Sequence, residues 1–144
     1  MKIFIDADGC PVVNNTLNIA KKHGIEAVVV ADTAHCFNLS YGTLITVSTG
    51  ADSADFRIAN LIGKGDILVT QDYALAAMVL SRGAVVLNQD GLVFTDDNIN
   101  ALLESRYTSA KLRRSGVRTK GPKKRTKIQT QNFEHTLEIL VLNN

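Results

Sequence analysis

The chain has 144 residues, 45% hydrophobic and 21% charged, with a net charge of +2. That length suits one domain with a real hydrophobic core, and the composition is that of an ordinary globular protein. Two cysteines, Cys10 and Cys36, exclude a disulfide-dense scaffold, and no apolar run reaches the roughly 20 residues of a membrane-spanning helix.

The first apolar run, Ile3-Phe4-Ile5, predicts a strand and is followed at once by Asp6 and Asp8. Val13, Leu17 and Ala20 recur at helical spacing, with Pro11 suited to the first turn and Gly24 to the stop. The β-branched stretch 25–30 predicts a second strand, and residues 31–43 read as irregular. Leu44-Ile45-Thr46-Val47-Ser48 predicts a third strand, followed by Asp52 and Asp55. Ala54, Ile58, Leu61 and Ile62 then mark a helix closed by Gly63.

Residues 66–70 predict another strand, followed by Asp72. Leu75, Ala76, Val79 and Leu80 mark a helix closed by Gly83, and residues 84–87 return to strand. Residues 92–94 suit a short extra strand or a turn. Thr95 or Asp96 then caps a helix bearing Ile99, Leu102 and Leu103, and Phe133, Leu137, Leu140 and Val141 define a last helix. Strands that are continuous apolar runs alternating with helices predict an α/β fold, a three-layer α/β/α sandwich around a mainly parallel sheet, as one domain over residues 1–144.

In such sheets ligands bind beyond the carboxyl ends of the strands. Asp6, Asp8, Asp52, Asp55 and Asp72 all fall at that edge. Two carboxylates 4 Å apart repel by about 4 kcal/mol at an effective dielectric near 20. A cluster of them calls for a cation or for protons, and oxygen-only ligands suit Mg²⁺ or Mn²⁺. The competing explanation is local: Asp is a favoured helix N-cap, which alone accounts for any one of Asp52, Asp55 or Asp72.

Charge is divided along the chain. Residues 1–110 carry 7 basic and 12 acidic side chains, a balance of −5; residues 111–144 carry 9 basic and 2 acidic, a balance of +7. All nine basic residues lie in segment 111–127, which includes Lys111, Arg113, Arg114, Lys123, Lys124 and Arg125. Such a segment fits a phosphate backbone through counterion release, or else is a solvated linker before the last helix. Cys10 is expected near a helix N-terminus, which lowers a thiol pKa, although a packing role suits it better than a nucleophilic one. His23 is expected at a helix C-terminus, His35 and Cys36 fall in the irregular segment, and His135 falls on the last helix. The short acidic N-terminal region without a long apolar stretch gives a cytoplasmic expectation, with no membrane partner.

Several motifs together give a resemblance: Asp6-Ala7-Asp8-Gly9-Cys10-Pro11-Val12, Gly50-Ala51-Asp52-Ser53-Ala54-Asp55, and the run from Gly65 to Asp72 with Leu75-Ala76. Asn98-Ile99, Leu112-Arg113, Ser115-Gly116 and Gly121-Pro122 extend it. In these the chain resembles the YaiI/YqxD family, a bacterial group without an established activity, which is itself similar to the PIN-like nuclease fold. The resemblance implies Asp6, Asp55 and Asp72 as catalytic metal ligands, with Thr70-Gln71-Asp72 matching a Thr-x-Asp element. It leaves Asp8 and Asp52 as auxiliaries, and Asp90 and Asp96 as candidates by spacing for a fourth acid. It further implies metal-dependent phosphodiester hydrolysis with RNA as the favoured substrate, or else a nucleic-acid-binding domain without catalysis.

A weaker resemblance links Asp6-Ala7-Asp8-Gly9 to haloacid dehalogenase-like phosphatases, with Asp6 as nucleophile and Asp8 as general acid/base. Thr49, Lys64 and the Asp96-Asp97 pair would supply the later elements.

Overall fold

The computed structural model describes residues 1–32, 38–48, 53–116 and 124–144. His35, Cys36, Thr49, Asp52 and Lys123 lie outside them. In chain order the elements are β1 (Lys2–Asp6), α1 (Val13–Lys22), β2 (Glu26–Asp32), β3 (Thr43–Val47), α2 (Ala54–Leu61), β4 (Ile67–Val69), α3 (Tyr73–Leu80), β5 (Val85–Leu87), β6 (Val93–Phe94), α4 (Asp96–Arg114) and α5 (Lys127–Asn143).

The strands form one sheet in the order β3-β2-β1-β4-β5-β6. All neighbours are parallel except β5 and β6, which pair antiparallel. Side chains of a strand alternate between faces. In β1, Ile3 and Ile5 point into one core and Phe4 into the other, and all three are buried. The first core joins them to Leu17 and Ala20 of α1 and to Phe133, Leu137 and Val141 of α5. The second joins Phe4 to Ile58 of α2, Leu75 and Val79 of α3, and Ile99 of α4. The result is the expected three-layer α/β/α sandwich. Right-handed crossovers explain the division of helices. The chain moves one way across the sheet from β1 to β2 and the opposite way from β3 to β4 and β5, so α1 lies on one face and α2 and α3 on the other.

Two details differ from the sequence reading. Helix α1 starts after Pro11: Val12 is its N-cap, and the Val12 carbonyl accepts from the Thr16 amide at 3.0 Å and from the Thr16 hydroxyl at 2.8 Å. The basic segment is not one linker. Lys111, Arg113 and Arg114 occupy the last turn of α4, where cations complement the helix dipole. That helix begins with a capping box between Thr95 and Asn98, and α5 begins with one between Thr126 and Gln129. Helix α5 reaches the β5–β6 turn closely. Gly91 has φ +84°, and a Cβ added there would lie 2.7 Å from the carbonyl oxygen of Asn132. Among the described residues no helix is long and apolar enough to cross a membrane.

Candidate functional site

Strand β1 is the point where strand order reverses, and the carboxyl ends of β1 and β4 open the crevice in which α/β sheets bind ligands. Asp6 closes β1, Asp32 closes β2, Asp55 stands in the first turn of α2, and Asp72 caps α3. With Asp8 these acids line a single cavity of about 340 Å³. It opens beside a second cavity of about 580 Å³, which shares Asp6, Asp8 and Asp72 and is also lined by Gln71, Tyr73, Asn88, Gln89, Leu103 and Arg106.

Each of the three central acids is fixed through one oxygen. Asp6 Oδ2 accepts from the Thr70 hydroxyl at 2.8 Å. Asp55 Oδ1 accepts from the Ser53 hydroxyl and from the Phe56 amide, the latter at 2.9 Å. Asp72 Oδ1 accepts from the amides of Ala74 and Leu75 at 2.9 and 3.1 Å. Capping therefore does explain Asp72, yet it occupies one oxygen only. In all three residues the second oxygen takes no hydrogen bond from a described residue. Asp8 differs: both of its oxygens accept from the Asp32 amide, at 3.3 and 3.0 Å.

The electrostatics follow from this crowding. Asp6 has its pKa raised from 3.8 to about 6, first by burial and then by the charges of Asp72, Asp8 and Asp55, against the lowering effect of the Thr70 hydrogen bond. Asp6 thus senses the charges of three other acids across the cavity. Among the described residues, no three acidic, histidine or cysteine side chains stand close enough to grip one ion directly.

The other sequence candidates are distributed as follows. Asp90 is engaged elsewhere, in an ion pair with Arg125 at 2.5 Å, and Asp96 stands in the first turn of α4, outside the acidic cavity. Arg125 also donates to the Gln89 carbonyl, and through Nε to the Thr130 hydroxyl at 3.2 Å. Lys64 precedes β4, at the opposite edge of the sheet from Asp6 and Asp8. The phosphatase assignment needs it beside them. Cys10 does not have the lowered pKa expected of a helix N-terminus. Burial pushes it up, outweighing a hydrogen bond from the Val12 backbone, and the half-buried side chain packs against the first core. His23 caps the end of α1 as expected, and its Nε2 lies 2.6 Å from Glu138 of α5. His135 lies on α5 and is exposed.

Sequence reasoning missed Asp32, Thr70 as the tie between two acids, and Arg106 with Tyr73. Asp32 carried the same signal as Asp6, an acid closing an apolar strand. Thr70 and Arg106 gave no separate signal, because their significance lies in contacts between distant elements.

No solved structure matches the chain. A "UPF0178 protein" of Exiguobacterium sibiricum is 49% identical over 141 residues, which are 98% of this chain and 96% of the relative. Those of Ruminiclostridium cellulolyticum and Enterococcus faecalis are 45% and 44% identical, covering 98% of this chain in each case and 92% and 97% of the relatives. The family model described as "Uncharacterized BCR, YaiI/YqxD family" matches residues 4–143. With a match of that extent and relatives similar over nearly all of their length, the chain belongs to the YaiI/YqxD family.

Proposed function

We propose that this protein is a metal-dependent phosphodiesterase acting on nucleic acid, RNA in preference. The observation that supports it most is the state of Asp6, Asp55 and Asp72: each is anchored through one oxygen and keeps the other available, at the edge of one cavity. Anchored carboxylates with a spare oxygen are what a cation site needs, because neighbouring hydrogen bonds orient the ligand. The donor set is all oxygen and fits Mg²⁺ or Mn²⁺. A cation held by these residues would supply an activated water and offset the charge developing on phosphorus. Water adds to phosphorus and gives up one proton, the ester P–O bond breaks, and the leaving sugar oxygen takes up one proton, leaving a phosphate monoester and a hydroxyl. In this reading Asp6, Asp55 and Asp72 hold the cation, and Asp8 and Asp52 orient water or a second ion. The resemblance to the PIN-like fold supports the same assignment.

Cleavage of end-labelled single-stranded RNA in the presence of Mn²⁺ tests it. Asp72→Asn keeps the cap, since Asn is an equally good N-cap. It is expected to fold normally and to lose at least about 100-fold in rate, the size typical when an electrostatic group of an active site is removed. A wild-type protein that cleaves no nucleic acid with either metal overturns the proposal. It leaves the second reading, a nucleic-acid-binding domain without catalysis, which the absence of a tight three-ligand cluster among the described residues favours.

A further inference from the structure

The larger cavity changes character away from the acids. Its lining passes from Asp6, Asp8 and Asp72 through Tyr73 to Arg106, the one basic side chain among its described lining residues. The Arg106 Cζ lies 5.6 Å from the centre of the Tyr73 ring. That ring meets Phe94 edge-on, with centroids 5.6 Å apart and planes at 67°, and Phe94 is buried. The guanidinium is therefore poised over a ring that is itself wedged against the core. Its nearest partner is an aromatic face, and among the described residues no carboxylate pairs with it, so its N–H donors stay available at the cavity. A further groove shares Tyr73 and Arg106 and continues along α4 past Ser109 to Arg113. Arg106 and Arg113 are seven residues apart, about two turns or 10 Å along the same helix face.

A polyanion brought to a cluster of carboxylates needs positive charge on the facing wall as well as a cation among the acids. Gln89 is a further polar group at this cavity. Its Oε1 is buried without a hydrogen-bond partner in the described structure. Buried acceptors are ordinarily paired, and a turn of this carboxamide would offer it to an N–H or O–H donor in the cavity. The volume of about 580 Å³ is of the size that holds one nucleotide unit.

We infer that Tyr73 and Arg106 form a substrate-positioning subsite for single-stranded RNA. Arg106 takes the phosphate next to the one at the acids, Tyr73 holds the guanidinium in place with its ring face, and the strand leaves along α4 toward Arg113. The inference rests on the nucleic-acid reading above and not on catalysis.

The test is binding of a fluorescein-labelled RNA octamer, with Ca²⁺ in place of Mn²⁺, across a salt series, alongside Mn²⁺-dependent cleavage. Arg106→Ala, at an exposed position, is expected to keep the melting temperature. It should weaken Kd about tenfold and lower the slope of log Kd against log salt by about one, the loss of one phosphate contact. Arg106→Lys should keep the slope while losing part of the affinity, because it lacks the planar fork. Tyr73→Leu should weaken binding without changing the slope, and Lys64→Ala, at the far edge, should change neither. In cleavage, Arg106→Ala should raise KM more than it lowers kcat. An octamer that does not bind the wild type, or an Arg106→Ala loss no larger than that of Lys64→Ala, overturns the subsite. Cleavage that persists with KM unchanged in Arg106→Ala removes the subsite and leaves the nuclease. Arg106-dependent binding without cleavage keeps the subsite and removes the nuclease.

Discussion

Thr70 and Asp6 are joined across neighbouring strands by a 2.8 Å hydrogen bond, and the same Thr70 oxygen accepts from the Asp72 amide at 3.0 Å. One buried hydroxyl thus sets the spacing of two of the three central acids. Thr70→Val keeps the shape and removes both bonds. Leaving a half-buried acceptor and a half-buried amide without this partner should cost about 1–2 kcal/mol. The Asp6 carboxyl should also move further up, since the Thr70 bond is what lowers it. Thr70→Ser should restore both properties. Urea unfolding and an NMR titration of the Asp6 carboxyl read the two effects; a titration midpoint in Thr70→Val at or below that of the wild type contradicts the arrangement.

Asp6 makes stability depend on pH in a defined direction. Its pKa rises from 3.8 in the free side chain to about 6 in the folded protein, so between those values the folded state holds a proton that the unfolded chain has released. Stability of the metal-free protein should therefore fall as pH rises from about 4 to about 6 and level off above, by roughly 2–3 kcal/mol in all. Asp6→Asn removes this slope and should be more stable than the wild type at pH 7.5 by a similar amount. Its amide oxygen still accepts from Thr70. Added Mn²⁺ should raise the melting temperature of the wild type at pH 7.5 and leave that of Asp6→Asn nearly unchanged. A flat wild-type profile from pH 4 to 6.5 in EDTA would show that Asp6 is not held in this way.

Arg125 serves the fold. Its guanidinium ties the start of α5 to the β5–β6 turn through Asp90 and the Gln89 carbonyl, and it is half-buried there. Arg125→Met should lower stability by about 2 kcal/mol, in the range of hydrogen bonds to a charged group. Exposed Lys124 next to it should accept alanine within about 0.5 kcal/mol. Equal unfolding midpoints for the two variants would remove the structural role of Arg125.

The contrast between these neighbours shows what the sequence discloses. The strands were legible because both faces of the sheet are covered, so β1 and β2 are nearly unbroken apolar runs. The helices were legible from spacing and from caps such as Thr95 and Gly24. The edge at which Asp6, Asp55 and Asp72 meet followed from strand direction alone. Asp32 obeyed the same rule and went unread, because residues 31–43 showed no periodicity and strand β2 runs two residues further than its β-branched stretch. Arg125 was read as one more cation in a basic run, because its partner Asp90 is 35 residues away. Arg106 stood outside that run, on the acidic side of the chain, and only the packing of α3 against α4 places it over Tyr73.

The central position of β1 has a consequence in time. A strand made early pairs on one side with β2 and on the other with β4, and the partner that positions Asp6 lies 64 residues downstream. At 5–20 residues per second, synthesis needs roughly 3 to 13 seconds to cover that interval. During it the nascent chain has its first aspartates but neither Thr70 nor Asp72, and so no anchored cluster. The acids become a cavity only when the middle of the sheet closes, the slow, non-local step of such a topology.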